Sequence, residues 1–266
     1  MRITIELEPG HTLQRSLPLN YQYPLSAWIY KTIHEGNHEF ADFLHNNGFS
    51  AGAKSYKFFT FSMLRFARGG FRIVSERIEI TSGNVWLELS FLVPDALQHF
   101  VSGLFQNQNF TLGDKRSQVP FTVKRVEGQP LPAFSECITF KALSPIIVSR
   151  DVSGSRNAQY LEPTDGDFER IFFDNLIRKC AAASKAKLIS CSNLTEQHDF
   201  RLEILSEPKK KGITIKPDTN MQTKIIGYMF DFRITAPPDL IKLGYLAGFG
   251  AKNSLGMGCG KLLGPV

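Results

Sequence analysis

The sequence predicts an α+β fold of two tandem ferredoxin-like βαββαβ units. Three observations carry this. The first half alternates strand-like and helix-like stretches in the order β, α, β, β, α, β; a Gly/Pro-rich break follows at Gly128-Gln129-Pro130-Leu131-Pro132; and the second half repeats the order less cleanly. A chain of 266 residues is long for one core and comfortable for two. The expected domains are residues 1–128 and 133–266.

Ile3, Ile5 and Leu7 alternate with Thr4, Glu6 and Glu8, as in a half-buried strand. Leu25 to His45 has helical spacing, with Gly36-Asn37 as a break, Asn37 as N-cap of a second segment and Gly48 as its stop. Lys57 to Ser62 reads as a strand. Phe71–Ile80 and Val85–Val93 read as a hairpin turning at residues 81–84. Asp95 to Gln106 fits a helix capped by Asp95, and Phe121 to Val126 completes the first unit. In the second, strands are expected near residues 137–143, 200–206, 213–215, 223–234 and 258–263, with helices at 167–183 and 238–246. Helices cover one face of such a sheet. The other face is expected to be open and able to hold RNA, as in RNA-recognition motifs.

Hydrophobic residues make up 42% and charged residues 21%, as in an ordinary globular protein. No stretch reaches the roughly 18 apolar residues of a membrane helix, and the N-terminus reads as a strand, so a cytoplasmic location is expected. Cys137, Cys180, Cys191 and Cys259 lack metal-ligand spacing, and a disulfide framework is improbable at this size; buried thiols are expected. From residue 208 onward the chain holds nine Lys or Arg against three Asp, so the whole +6 excess lies in its last quarter. A localised basic surface attracts polyanions, most commonly nucleic acid.

Gly244 to Gly260 holds six glycines in 17 residues, around Lys252-Asn253-Ser254. Backbone N–H groups of such a loop can form a nest for phosphate oxygens, with Gly248, Gly250 and Gly256 allowing close approach. A tight structural turn is the competing reading. The Walker spacing is absent.

This loop resembles the C-terminal glycine-rich signature of the repeat-associated RNA-binding superfamily of CRISPR systems, and within it the Cas6 endoribonucleases that process precursor CRISPR RNA. Three stretches agree with it in order: Ile29-Tyr30-Lys31 with Phe43 to Gly48 and Lys57 to Ser62; Tyr160-Leu161-Glu162-Pro163 with Asn175 to Lys179; and Lys224 to Tyr228. The resemblance implies metal-independent cleavage without a cofactor. The ribose 2′-OH attacks its own phosphate, leaving a 2′,3′-cyclic phosphate and a 5′-OH. That chemistry needs a base, an acid and positive charge on the phosphate.

His45 matches the family's histidine, and imidazole with an unperturbed pKa of ~6.5 can move either proton. Tyr30 matches an assisting position, but a phenol of pKa ~10 is a poor base unaided. The family's lysine falls on Lys54 or Lys57, with Lys54 in the looser loop. RNA holding is assigned to Lys252, Asn253, Ser254, Gly248, Gly250, Gly256, Lys224, Arg233, Lys216, Arg150 and Arg156, with the Lys209–Lys211 run weighted least and Tyr228 and Phe249 as candidate stacking rings. The one tight acidic pair near a helix start, Asp165 and Asp167, is explained by helix capping, so no metal site is expected. The implied partner is CRISPR repeat RNA; effector-complex subunits and a homodimer stay open. A non-cleaving RNA-binding scaffold of the same superfamily is the alternative.

Overall fold

The computed structural model describes residues 1–10, 15–52, 54–151, 158–190, 199–216 and 219–264. Its first sheet runs Asn109–Gly113, Gln118–Gln129, Arg2–Pro9, Val85–Phe91, Phe59–Phe61, all antiparallel, with Arg65–Phe66 also on Val85–Phe91. Leaving aside the Asn109–Gly113 edge, this is the 4-1-3-2 order of a ferredoxin-like unit. The second sheet has the same order: Gly260–Leu262, Cys137–Ala142, Asp231–Thr235, Arg201–Ile204.

In the first unit Ile3, Ile5 and Leu7 are buried with Leu25, Ile29, Ile33 and Phe100 from the helices Gln22–Gly36 and Pro94–Gln106. The break after the first helix is where it was expected, and Asn37 caps the short helix His38–Asp42 by accepting from the Phe40 N–H at 2.9 Å. Gly36 has a different task. A methyl group there would overlap the His99 carbonyl, and one at Gly103 would overlap the Thr32 carbonyl. Gly36 and Gly103 thus let the two helices cross backbone to backbone. Asp95 sits in the first turn without capping; Val93 precedes Pro94 at the helix start.

The expected hairpin is not formed. Phe71–Val74 turns at Ser75-Glu76 and pairs with Arg77–Ile80, which also pairs with Ser16–Pro18. Val85–Phe91 leaves that hairpin for the main sheet, because Val85, Leu87, Leu89 and Phe91 all bury there. In the second unit the expected strand over 223–234 divides at Phe230. Thr223–Met229 joins Lys209–Ile215 in a separate hairpin, and Asp231–Thr235 enters the sheet.

The expected open sheet face exists only in part. Thr60, Ser90 and Arg2 are neighbours in register on the face of the first sheet away from its helices. All three are buried. Thr60 Oγ1 donates to Met257 O (2.8 Å), Ser90 Oγ to Tyr245 O (3.3 Å), and the Arg2 guanidinium to Gly260 O (2.7 Å) and Tyr245 O (3.0 Å). The helix Pro238–Ala247 and the glycine-rich loop thus occupy the surface on which RNA was expected to lie.

Cys259 is a buried thiol as expected, but Cys137 is exposed and Cys180 is disulfide-bonded. No helix among the described residues is long and apolar enough to cross a membrane. Replacing Gly103 by alanine is expected to cost about 1–3 kcal/mol through overpacking, read as a lower urea midpoint at an unchanged slope.

Candidate nucleic-acid interface and active site

A cleft of about 1290 Å³ separates the two units. One wall comes from the first helix and residues 45–58: Ser26, Tyr30, His45, Lys54, Tyr56 and Lys57. The other comes from the second unit: Asp151, Asn175, Lys179, Lys224 and the loop Ala251 to Leu255.

His45 lies in the π-helical turn Phe43–Asn47, closed by Gly48, whose N–H donates to Phe43 O at 2.7 Å. The imidazole is exposed, lines the cleft, and meets the Tyr30 ring edge-on at 5.4 Å between centroids. Its Nδ1 is 3.2 Å from Asn46 Oδ1. Burial pushes the Tyr30 phenol up to about 12, opposed by a side-chain hydrogen bond with Ser254. Tyr30 therefore stays a neutral phenol at any ordinary pH.

The two candidate lysines are placed differently. Lys57 Nζ donates to the His45 carbonyl at 2.9 Å, so it braces the turn that carries the ring; burial lowers its pKa. Lys54 is not in a loose loop. It opens the strand Lys54–Tyr56, paired with Phe49–Ala51, and its ammonium is 3.8 Å from the Asp151 carboxylate across the cleft.

The glycine-rich loop is built mainly by packing. Gly248, Gly250 and Gly256 are buried. A side chain at Gly248 would strike Asn253, one at Gly250 the Ile147 carbonyl, and one at Gly256 the Phe61 ring. The Gly248 and Gly256 N–H groups are bonded to Gly244 O and Asn253 O. Those two glycines are thus shapers of the loop and not phosphate donors, a correction to the nest reading. Asn253 is likewise turned inward, donating through Nδ2 to Phe249 O (3.0 Å) and Met257 O (2.9 Å). Ser254 joins the two units: its carbonyl accepts from Ser26 Oγ at 2.6 Å while its side chain meets Tyr30. Lys252 is exposed on the cleft in a left-handed conformation.

The other expected RNA contacts scatter. Lys224 is exposed and lines the cleft. Arg150 lines an adjoining cavity of about 270 Å³ and pairs with Asp167 at 2.8 Å. Lys216 lies beyond the strand Lys209–Ile215, 3.7 Å from Met221 Sδ, and does not line the cleft. Arg233 is on the sheet face away from the helices, paired with Glu203 at 3.3 Å. Arg156 lies outside the described residues. Within the Lys209–Lys211 run, Lys210 pairs with Glu162 at 3.1 Å. Tyr228 and Phe249 cannot stack on bases: both are buried, Phe249 among Phe140, Phe172 and Phe232, and Tyr228 donating to Glu162 at 2.7 Å. Asp165 accepts from the Glu162 N–H, and Asp167 stands at the N-cap position of the helix Phe168–Lys185 as expected, although its carboxylate pairs with Arg150 and Arg170 and makes no side-chain cap bond.

Sequence reasoning passed over Lys179 as a functional group. It shares the buried helix face of Phe172, Leu176 and Ala183, and a lysine at that spacing was the available signal. Its side chain is 1% exposed, it donates to Gly248 O and Gly250 O at 2.6 Å each, and burial lowers its pKa to about 7.

Two ferredoxin-like units packed through the second unit's glycine-rich loop, with lysines and a histidine–tyrosine pair facing the cleft between them, define a tandem ferredoxin-like protein with a lysine-lined groove. The family model for the Cas6 N-terminal region matches residues 16–127, and that for the CRISPR-associated Cas6 C-terminal region matches 129–262. The chain is 30% identical over 97% of its length to the CRISPR-associated endoribonuclease Cas6 1 of Methanocaldococcus jannaschii, covering 91% of that protein. It is also 30% identical over 99% of its length to the CRISPR-associated endoribonuclease Cas6 of Pyrococcus furiosus, covering 90%. A Cas6-related structure from P. furiosus has the same fold, with a TM-score of 0.80 at 24% identity over 99% of this chain and 98% of that one. This chain belongs to the Cas6 family.

Asn253→Ala removes both donors that close the loop and is expected to cost about 1–3 kcal/mol, seen as a lower thermal midpoint.

Proposed function

We propose that this protein binds CRISPR repeat RNA in the precursor transcript and cuts it without a metal ion, by attack of a ribose 2′-OH on the adjacent phosphate. The observation that carries the reading is the His45–Tyr30 pair, open to a cleft faced by Lys54, Lys57, Lys224 and Lys252. The names of the two curated relatives support RNA cleavage as the activity.

The 2′-OH gives up a proton as the new P–O bond forms, and the leaving 5′-oxygen takes one as the old bond breaks. His45 is the group that moves a proton. An oxygen beside Nδ1 favours the proton there, which leaves Nε2 for the RNA. Tyr30 contributes a hydrogen bond: burial keeps its phenol protonated, so that it can donate to the ribose or to the phosphorane. Lys54 exchanges Asp151 for a phosphate oxygen, at little cost because an exposed ion pair contributes at most about 1 kcal/mol. Lys57 holds the His45 turn. Lys224 and Lys252 grip backbone phosphates without reading sequence.

His45→Ala is expected to slow cleavage of repeat RNA by at least about 10²-fold with EDTA present, with binding retained. Undiminished cutting by that variant removes His45 from its role. A magnesium requirement makes the protein a metal nuclease, and binding without product under any condition makes it an RNA-holding scaffold. For Lys252→Ala, the slope of log affinity against log salt should become shallower by about 1; an unchanged slope would return the residue to loop shape alone.

A further inference from the structure

We propose that Lys179 is a positioning residue of the cleavage site: its ammonium, sealed beneath the glycine-rich loop, holds that loop where Ser254 meets Tyr30 and Lys252 faces the cleft. The proposal rests on the nuclease reading above.

Lys179 is the one lysine of the described residues buried to this degree, at 1% exposure. No carboxylate among the described residues lies within ion-pair distance of it. Its partners are two backbone carbonyls, Gly248 O and Gly250 O, on either side of Phe249. An unpaired buried ammonium is a poor device for stability alone, since an apolar side chain of the same volume fills such a site without the desolvation penalty. Its effect here is local. It turns the carbonyls of Gly248 and Gly250, one on each side of Phe249, inward at positions whose positive φ already excludes most side chains.

From those carbonyls the path to the candidate active site is short. Phe249 is anchored in the core, and its carbonyl and that of Met257 are tied by the Asn253 amide. The next residue, Ser254, binds Ser26 through its carbonyl and Tyr30 through its side chain. Tyr30 then meets His45. Lys179 therefore acts on the reacting groups through the loop. Burial lowers its pKa to about 7, so the ammonium that donates to both carbonyls predominates below neutral pH and gives way to the neutral amine above it.

The test combines three measurements on the full chain with Lys179→Met: the single-turnover rate at saturating repeat RNA, RNA affinity, and amide hydrogen exchange. The expected result is a rate about 10²-fold lower, as for a small misplacement of reacting groups. Affinity should change far less than the rate. Exchange should quicken at residues 248–256 and stay as in the wild type across Val85–Phe91. Unchanged rate and loop exchange would overturn the proposal. So would loss of protection throughout the chain, which would make Lys179 a requirement of folding.

A second variant, Lys179→Ala, empties the site. Added n-propylammonium is expected to restore its cleavage saturably, while propan-1-ol does not. Equal rescue by the alcohol would overturn the proposal by making cavity filling, not charge, the cause. If the wild-type chain cuts no repeat RNA, the nuclease reading falls by itself, and loop exchange in Lys179→Met still decides whether the clamp exists.

Discussion

The row Thr60–Ser90–Arg2 is the constraint on which the rest of the molecule depends. Three polar side chains, buried side by side on one sheet, must each find a partner or leave a costly unpaired donor. They find them in carbonyls of Met257, Tyr245 and Gly260, 155 or more residues away in the chain. Arg2 adds the Tyr245 ring at 3.8 Å and the Glu88 carboxylate at 3.6 Å. The two units cannot shift against one another without stranding a guanidinium in the interior, a large penalty at low dielectric.

That seam makes the cleft a joint product of both units. Tyr30 and His45 come from the first, while Ser254 and Lys252 come from the loop of the second. The Ser26–Ser254 bond and the Tyr30–Ser254 contact bring them together. Charge is graded across the site. Exposed lysines face solvent where phosphates would arrive, a neutral phenol sits half-buried beside the imidazole, and a sealed ammonium lies under the loop. Burial beneath a cationic rim strengthens interactions at the cleft floor while leaving the outer charges sensitive to salt.

Local patterning in the sequence was legible where one interaction dominates. The alternation of Ile3, Ile5 and Leu7 marks a real strand, Asn37 a real cap and Gly48 a real stop, because these depend on neighbours within a few residues. It was misread where a distant partner decides. Val85–Phe91 left its apparent hairpin partner for a more deeply buried place in the main sheet. Phe249 and Tyr228, plausible as exposed stacking rings, proved to be core residues, since most large aromatic side chains in a chain of this length are needed to fill its interior. Composition alone could not separate a glycine that receives a phosphate from one that admits a neighbouring side chain, as Gly256 does for Phe61.

By itself the sequence determined the tandem βαββαβ order and the basic last quarter, because hydrophobic period and charge are properties of contiguous residues. It also carried the family's motifs. Only the tertiary structure decided which face of the first sheet is closed, which lysine braces His45 and which faces Asp151, and that Lys179 points into the second unit's loop. Those choices rest on register and on the pairing of buried polar groups far apart in the chain, and a one-dimensional pattern holds no record of which donor will meet which acceptor.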